Sequence, residues 1–371
     1  MELTEKTYFV ETDKIAHNID VLCKRVGPAK IYAVVKCDGY GTGCAAMTRV
    51  CAENGLRRFA VTEVAEARCV VQQTRPEELL MLTTVADEAD MQALADCGAT
   101  FTVAGTADAR RLNDFAQGRG LRLHVHVKVD TGMGRRGFLP QQQAEILAVY
   151  RDYSALCVTG IYTHFAHAFD PKATKLQFEA FRAVLAALEQ AGIDPGTRHC
   201  CNSVAAFHHP DMALDAVRVG SALLGRILGG DRFGLRRTGI CLAPVESVRQ
   251  LPKGTTIGYG SIFRTRRQTT VALCSVGGHH GFGLSLRPGC QSPMTGVLDL
   301  LAIIRNRLTG RDIPTAKIGG KTCRALGCIC TEAVMLDVTN TPCQPGDIAA
   351  FDINPMFLRD IPVQYIPTLP Q

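Results

Sequence analysis

Lys36 closes the apolar run "IYAVVK" (residues 31–36), and the turn-forming "CDGYGTG" follows at once. A buried ammonium is costly, so a lysine at the end of an apolar strand has two readings. Its stem lies on apolar surface while the head reaches water, or its amine, with a pKa lowered by burial, serves as a nucleophile. A second reactive pattern is "RLHVHVKVD" (122–130), where Arg122, His124, His126, Lys128 and Asp130 alternate with Leu123, Val125, Val127 and Val129. Period two puts all five polar side chains on one face of a strand. A third is Tyr259, held between glycines in "IGYGSIF". Taken alone it reads as a turn residue. To act as a base it needs a cationic neighbour or a hydrogen-bond network, because tyrosine ordinarily titrates near about pH 10.

These side chains need a frame. From residue 13 to about 230, short β-rich runs alternate with amphipathic helical patterns. The expected strands are 31–36, 58–62, 78–83, 100–105, 122–129, 157–164, 198–201 and 216–220. Eight strands with helices between them predict a (β/α)₈ barrel. In a barrel the polar face of 122–130 turns inward, and the C-terminal strand ends are where the chemistry sits. An exposed edge strand is the other reading, and it fits poorly in the middle of a βα array. After about residue 235 the rhythm changes. "ICLAPVESVRQLPKGTTIGYG", "TTVALCSVGG", "PMTGVLDL", "PTAKIGG" and "AVMLDVTN" read as short strands parted by Gly, Pro and Thr, with no strong helix between them. The expected domains are therefore a barrel over 1–234 and an all-β domain over 235–371.

Composition narrows the function classes. The 371 residues are 46% hydrophobic and 20% charged, and the net charge of +6 is scattered, with no basic stripe. Nucleic-acid binding is not suggested, whereas an anionic substrate or cofactor is compatible. The longest apolar stretches are strand-sized, which argues against a membrane span, and the charged N-terminus lacks a signal-peptide core. Sixteen cysteines occur without zinc-like CxxC repeats. Buried reduced thiols in a cytoplasmic protein are the expectation, with no disulfide and no metal.

The segments "AVVKCDGYGTG", "KVDTGMGRRGF", "GIYTHFAHA", "RHCCNSVAAF", "VRVGSALLG" and "IGYGSIF" occur in the order and spacing of alanine racemases. The resemblance runs from about residue 5 to about 350. It implies a pyridoxal 5'-phosphate (PLP) enzyme with an N-terminal barrel and a C-terminal β domain. Lys36 resembles the lysine that carries PLP as a Schiff base, and Tyr40 a tyrosine near the phosphate. Asn202, Ser203, Gly220 and Ser221 fall in the two loops where barrels commonly bind phosphate, although Asn202 or Ser203 also reads as a helix N-cap. His164 resembles a histidine packed against the pyridine ring. Arg218 resembles the arginine that hydrogen-bonds the ring nitrogen, which leaves PLP a weaker electron sink and favours return of the Cα proton. Lys36 and Tyr259 would then be the two bases, with Tyr259 arriving from the second subunit of a homodimer. Arg135 and Lys128 would contact substrate or cofactor, Lys128 either carbamylated or paired with Asp130.

Three segments depart from the family pattern. A "GYADG" segment is replaced by "VGGHHGFG", with Gly278 in place of an entrance tyrosine. "CMD" becomes "CTE", placing Thr331 at the substrate carboxylate. The tail offers Arg359 or Tyr365 where a gate tyrosine is expected. The implied function is racemisation of alanine or a related small amino acid such as serine. Two alternatives are a non-catalytic PLP-binding protein and a PLP decarboxylase. The first resembles the barrel alone. The second typically has a cysteine where this chain has "IGYGS".

Overall fold

The computed structural model describes residues 3–27, 30–285, 293–310 and 312–369. The chain forms two units, one running from Thr12 to Thr238, the other joining the residues up to Glu11 to those from Gly239 on. The first strand, β1 (Thr7–Glu11), thus lies outside the unit that follows it in sequence.

The Thr12–Thr238 unit is the barrel. Its strands are β2 (Lys30–Val34), β3 (Arg58–Val61), β4 (Glu78–Met81), β5 (Phe101–Val103), β6 (Leu123–Lys128), β7 (Leu156–Tyr162), β8 (Thr197–His199) and β9 (Ala216–Val219). All pair in parallel, in the order β4-β3-β2-β9-β8-β7-β6-β5. The two ends meet at Leu80 and Thr100, where Thr100 N–H donates to the Leu79 carbonyl at 2.8 Å and Met81 N–H to the Thr100 carbonyl at 2.9 Å. Parallel strands covered on both faces read as continuous apolar runs, and the last four residues of β2 are buried without a break. Of the polar residues expected on one inner face of β6, His126 and Lys128 are buried together with the valines beside them, whereas Arg122 and His124 at its start are exposed, and β5 and β7 flank the strand.

The helices follow ordinary capping rules. Asp170 caps Pro171–Gln190 by accepting from Lys172 N and Ala173 N, with proline at the start. Val64–Gln73 opens with a capping box formed by Glu63 and Glu66.

The second unit is built on one mixed sheet. β10 (Ile240–Leu251) pairs with β1, with β13 (Thr269–Cys274) and with β17 (Ile348–Phe351), and β11 (Thr256–Ile257) and β12 (Phe263–Arg264) form a hairpin. β14 (Thr315–Ile318), β15 (Lys321–Arg324), β16 (Val334–Asp337) and β18 (Val363–Ile366) complete the sheet. One expected strand is corrected: "PMTGVLDL" belongs to a helix, Pro293–Thr309. Read with its continuation "LAIIRNRLTG", the segment carries apolar residues at 297, 300, 301, 304 and 308, a helical spacing, with Pro at its start and Gly310 after its end.

Candidate active site

At the C-terminal ends of the barrel strands lies a cavity of about 380 Å³. Every barrel residue expected at the site lines it: Lys36 and Tyr40 after β2, Lys128 and Arg135 at the end of β6, His164 after β7, Asn202 and Ser203 after β8, and Arg218, Gly220 and Ser221 on and after β9. The two remaining candidates belong to the other unit. Tyr259 is 75% exposed on a short turn between Gly258 and Gly260, both at positive φ. Thr331 is exposed, and its carbonyl accepts from His279 N–H at 2.9 Å. Gly278 N–H donates to the neighbouring Cys330 carbonyl, and His279 pairs with Asp360, so the three segments that depart from the family pattern meet in space. Tyr365 sits in β18 opposite Val10, and Arg359 is exposed.

Lys36 is followed by a run of left-handed backbone: Cys37, Asp38, Gly39 and Tyr40 have φ of 53°, 52°, 63° and 59°. Left-handed residues other than glycine cost roughly 1–2 kcal/mol each and rarely occur in succession. The cost is met by fixed hydrogen bonds. Glu66 Oε1 accepts from Asp38 N–H at 3.3 Å while its Oε2 accepts from Thr62 N–H at 2.9 Å, and Asp38 Oδ1 accepts from Cys44 N–H at 2.7 Å. The turn carries Tyr40 back across the cavity onto Gly220, where a Cβ would overlap its ring. Burial pushes the Tyr40 hydroxyl up to about 12, so it is a donor at neutral pH.

Asn202 Oδ1 caps the helix that follows β8, accepting from Val204 N–H and Ala205 N–H, each at 3.0 Å. Ser203 Oγ accepts from Gly220 N–H at 3.1 Å and Ala222 N–H at 3.3 Å, tying the loop after β8 to the loop after β9.

Arg218 is fully enclosed, and among the described residues its partners are carbonyls and histidine rings, not a carboxylate. It donates to the carbonyl of Thr163 at 2.6 Å and to His199 Nδ1 at 2.6 Å. A guanidinium only donates, so His199 carries its proton on Nε2, which lies 3.0 Å from His126 Nδ1. His126 Nε2 in turn faces Glu78 Oε1 at 3.0 Å with the N–H off line, and neither atom has another partner among the described residues. Tyr32 donates to Glu78 Oε2 at 2.5 Å. His199 is stacked between Tyr162, at 4.8 Å, and Tyr32, at 5.3 Å. A directed chain thus runs from Arg218 through two histidines to an acid at the start of β4.

Asp130, offered by sequence as a partner for Lys128, does something else. Its two oxygens accept from the backbone N–H groups of Gly132, Met133, Gly134 and Arg135, fixing the loop that carries Arg135. A Cβ on Gly137 would meet Asp130 N at 2.6 Å, so that loop closes only with glycine there. Lys128 has no carboxylate partner among the described residues. Burial first, then Arg135, Arg218 and Arg136, lower its pKa to about 8. Burial first, then Arg218, Arg135, Lys128 and Lys36, hold His164 down at about 3, so its ring is neutral. For Lys128 the sign of the pH effect is fixed. Below pH 8 the folded protein holds an unfavourable ammonium, and from about 8 to 10.5 the folded chain binds fewer protons than the unfolded one. Stability is expected to rise with pH across that window. In denaturant titrations at constant ionic strength, this rise is expected to be absent from Lys128→Met.

Every ionised side chain lining the cavity is a cation: Lys36, Lys128, Arg135, Arg136 and Arg218. The uncharged polar lining includes the Tyr40 and Ser221 hydroxyls and the His164 ring. A donor-rich, carboxylate-free cavity suits a phosphate and a second oxyanion, and PLP supplies both. Sequence reasoning missed Glu66, Glu78, His199, Tyr162 and Arg136. Glu66 had a local signal, the capping-box spacing from Glu63, while Glu78 and His199 acquire meaning only across non-neighbouring strands.

A family model described as alanine racemase, N-terminal domain, matches residues 10–227. The chain is 35% identical over 338 residues to the alanine racemase of Desulforamulus reducens, covering 89% of this chain and 84% of that one. It is 33% identical over 288 residues to the alanine racemase of Methanococcus maripaludis, covering 76% of this chain and 77% of the other. Among solved structures, the alanine racemase from D-cycloserine producing Streptomyces lavendulae matches at TM-score 0.84 and 24% identity, covering 100% of this chain and 99% of that one. The one from Bartonella henselae, with covalently bound pyridoxal phosphate, matches at TM-score 0.80 and 21% identity, covering 98% and 100%.

Proposed function

Because the chain belongs to the alanine racemase family and is a PLP-dependent racemase, we propose that it interconverts the L and D forms of small amino acids, alanine or serine among them, as a cytoplasmic homodimer. The observation that carries this reading is the convergence of Lys36, Tyr40, His164 and Arg218 on one cavity at the catalytic end of the barrel.

Lys36 would hold PLP covalently. Tyr40 and Ser221, with the loops tied together by Ser203, would hold the phosphate, and Arg218 the ring nitrogen. PLP, when bound, supplies the electron sink that makes the Cα proton of an attached amino acid labile. The remaining work falls to this chain's own groups. Lys36 Nζ takes or returns the Cα proton on one face. The hydroxyl of Tyr259 does so on the other, and its 75% exposure on its own subunit suits a residue that completes a second copy's site. Arg135, on the loop fixed by Asp130, orients the substrate carboxylate. Lys128, with its pKa near 8, has enough neutral amine at physiological pH to take up carbon dioxide as a carbamate, an anion beside Arg135. Thr331 would offer a hydroxyl to a polar substrate side chain.

Among the described residues no helix is long and apolar enough to cross a membrane. The reading is tested by incubating PLP-loaded protein in D₂O with single L-amino acids. Deuterium at Cα with inversion of configuration is expected. Cofactor absorbance without exchange for any amino acid supports a PLP-binding protein instead, and release of carbon dioxide supports a decarboxylase.

A further inference from the structure

Among the cavity's cations, one guanidinium is left without a part in holding PLP or an α-carboxylate. Of the five, Lys36 would hold the cofactor, Lys128 would become the carbamate beside Arg135, Arg218 is committed to the ring nitrogen and to His199, and Arg135 suffices for one α-carboxylate. Arg136 is left over. It lines the same cavity, it is exposed, and among the described residues it has no acidic partner. Its position is not adventitious. The Asp130 carboxylate gathers the N–H groups of residues 132–135, including that of Arg135 at 2.8 Å, so two consecutive guanidiniums are presented from a rigid loop. Guanidinium groups recognise carboxylates through paired, charge-assisted hydrogen bonds. Two adjacent guanidiniums match two carboxylates on one small molecule.

Resting on the racemase reading above, we propose that the preferred substrate class of this site is a small amino acid with a side-chain carboxylate, of which aspartate is the shortest, with Arg136 as the residue that selects it. The neighbouring groups agree. Cations lining the cavity depress both Lys128 and His164, so the cavity without cofactor holds a positive potential that suits anionic groups. The reaction is unchanged in kind: the Cα–H bond breaks and reforms with inversion, the side-chain carboxylate stays intact, and nothing is oxidised or reduced.

Two measurements on the PLP-loaded enzyme test this. The first is Cα deuterium exchange in D₂O with L-aspartate, L-alanine and L-serine. The second is calorimetric binding of succinate against propionate, neither of which has an amino group to react. A charge-assisted pair predicts at least about a tenfold advantage for aspartate in kcat/KM and for succinate in affinity. Arg136→Gln, at an exposed position, is expected to erase both advantages while melting temperature and cofactor absorbance are kept. Alanine or serine exchanging faster than aspartate, or an aspartate-to-alanine ratio that Arg136→Gln leaves in place, overturns the selectivity. No exchange with any amino acid instead overturns the racemase reading. In that event a succinate preference lost in Arg136→Gln still supports a dicarboxylate site, and equal affinities overturn it too.

Discussion

Lys36→Ala and Tyr259→Phe chains, each nearly inactive alone, are expected to regain about a quarter of wild-type racemisation when co-expressed, because half the dimers are mixed and one of their two sites is intact. Alone, Lys36→Ala removes both the covalent anchor and one base, so it is expected to lose the absorbance of lysine-linked PLP together with all measurable exchange. Tyr259→Phe removes a single hydroxyl, and a loss of roughly 10²–10⁴ in kcat is the usual scale for one general acid–base group. The mixed dimer separates two arrangements that single variants cannot. If Tyr259 serves the cavity of the partner, one composite site in each mixed dimer has both groups. If it serves its own chain, every site lacks one group and the mixture stays dead. Its exposure within its own subunit favours the first outcome. A tyrosine from the same subunit would require it to be covered by its own chain.

Glu78→Leu is expected to damage both stability and turnover, although Glu78 lies at the far end of β4 from the cavity. The substitution leaves Tyr32 without its acceptor and removes the carboxylate that faces His126 Nε2. A loss of about 3 kcal/mol or more is typical when one partner of a buried charged network is removed. His126 would then be free to move its proton to Nδ1, placing two donors head to head with His199 Nε2 and, through His199, disturbing the acceptor that Arg218 needs. Glu78→Gln tests this separately, because its amide oxygen still accepts from His126 while the charge is gone. It is expected to recover most of the turnover lost in Glu78→Leu. If Glu78→Leu keeps wild-type kcat and melting temperature, the two histidines need no carboxylate. Burial raises the Glu78 pKa, but His126, Tyr32 and Arg58 outweigh it and the net shift is downward. The advantage of wild type over Glu78→Gln is therefore present above about pH 4.5 and lost as pH falls through the lower folded value.

Much of this was legible before any coordinates, for physical reasons that differ by residue. The barrel strands announce themselves because parallel strands buried on both faces are compact apolar runs. Within "RLHVHVKVD" the alternation marks an interior face because polar groups repeat at the strand period. Lys36 was conspicuous because a cation ends such a run. The helix Pro293–Thr309 was hidden by cutting its sequence at Leu300: the first half is too short to distinguish strand from helix, and the period appears only over four turns. Glu78 was invisible for another reason. A glutamate opening a strand is ordinary, and its link to Arg218 passes through β6 and β8, whose adjacency to it is a property of the closed barrel. Asp130 stands in the sequence as one of two alternatives for Lys128, because opposite charges two residues apart suggest an ion pair until the backbone turn that follows offers four N–H groups.

β1 also bears on how the protein is made. It precedes every strand of the barrel along the chain, yet its neighbours are β10 and β18, with Tyr8 opposite both Cys241 and Val363. By the time residue 238 has emerged, every strand of the barrel is available for closure, and folding can proceed on the nascent chain. The segment Thr7–Glu11, buried along its whole length in the finished sheet, must meanwhile wait until Val363–Ile366 has been made. It does so as an unpaired apolar strand, the kind of segment that chaperones bind and that aggregates when left alone. Production of this protein should therefore be limited less by the barrel than by how well Thr7–Glu11 is shielded until β18 has been made.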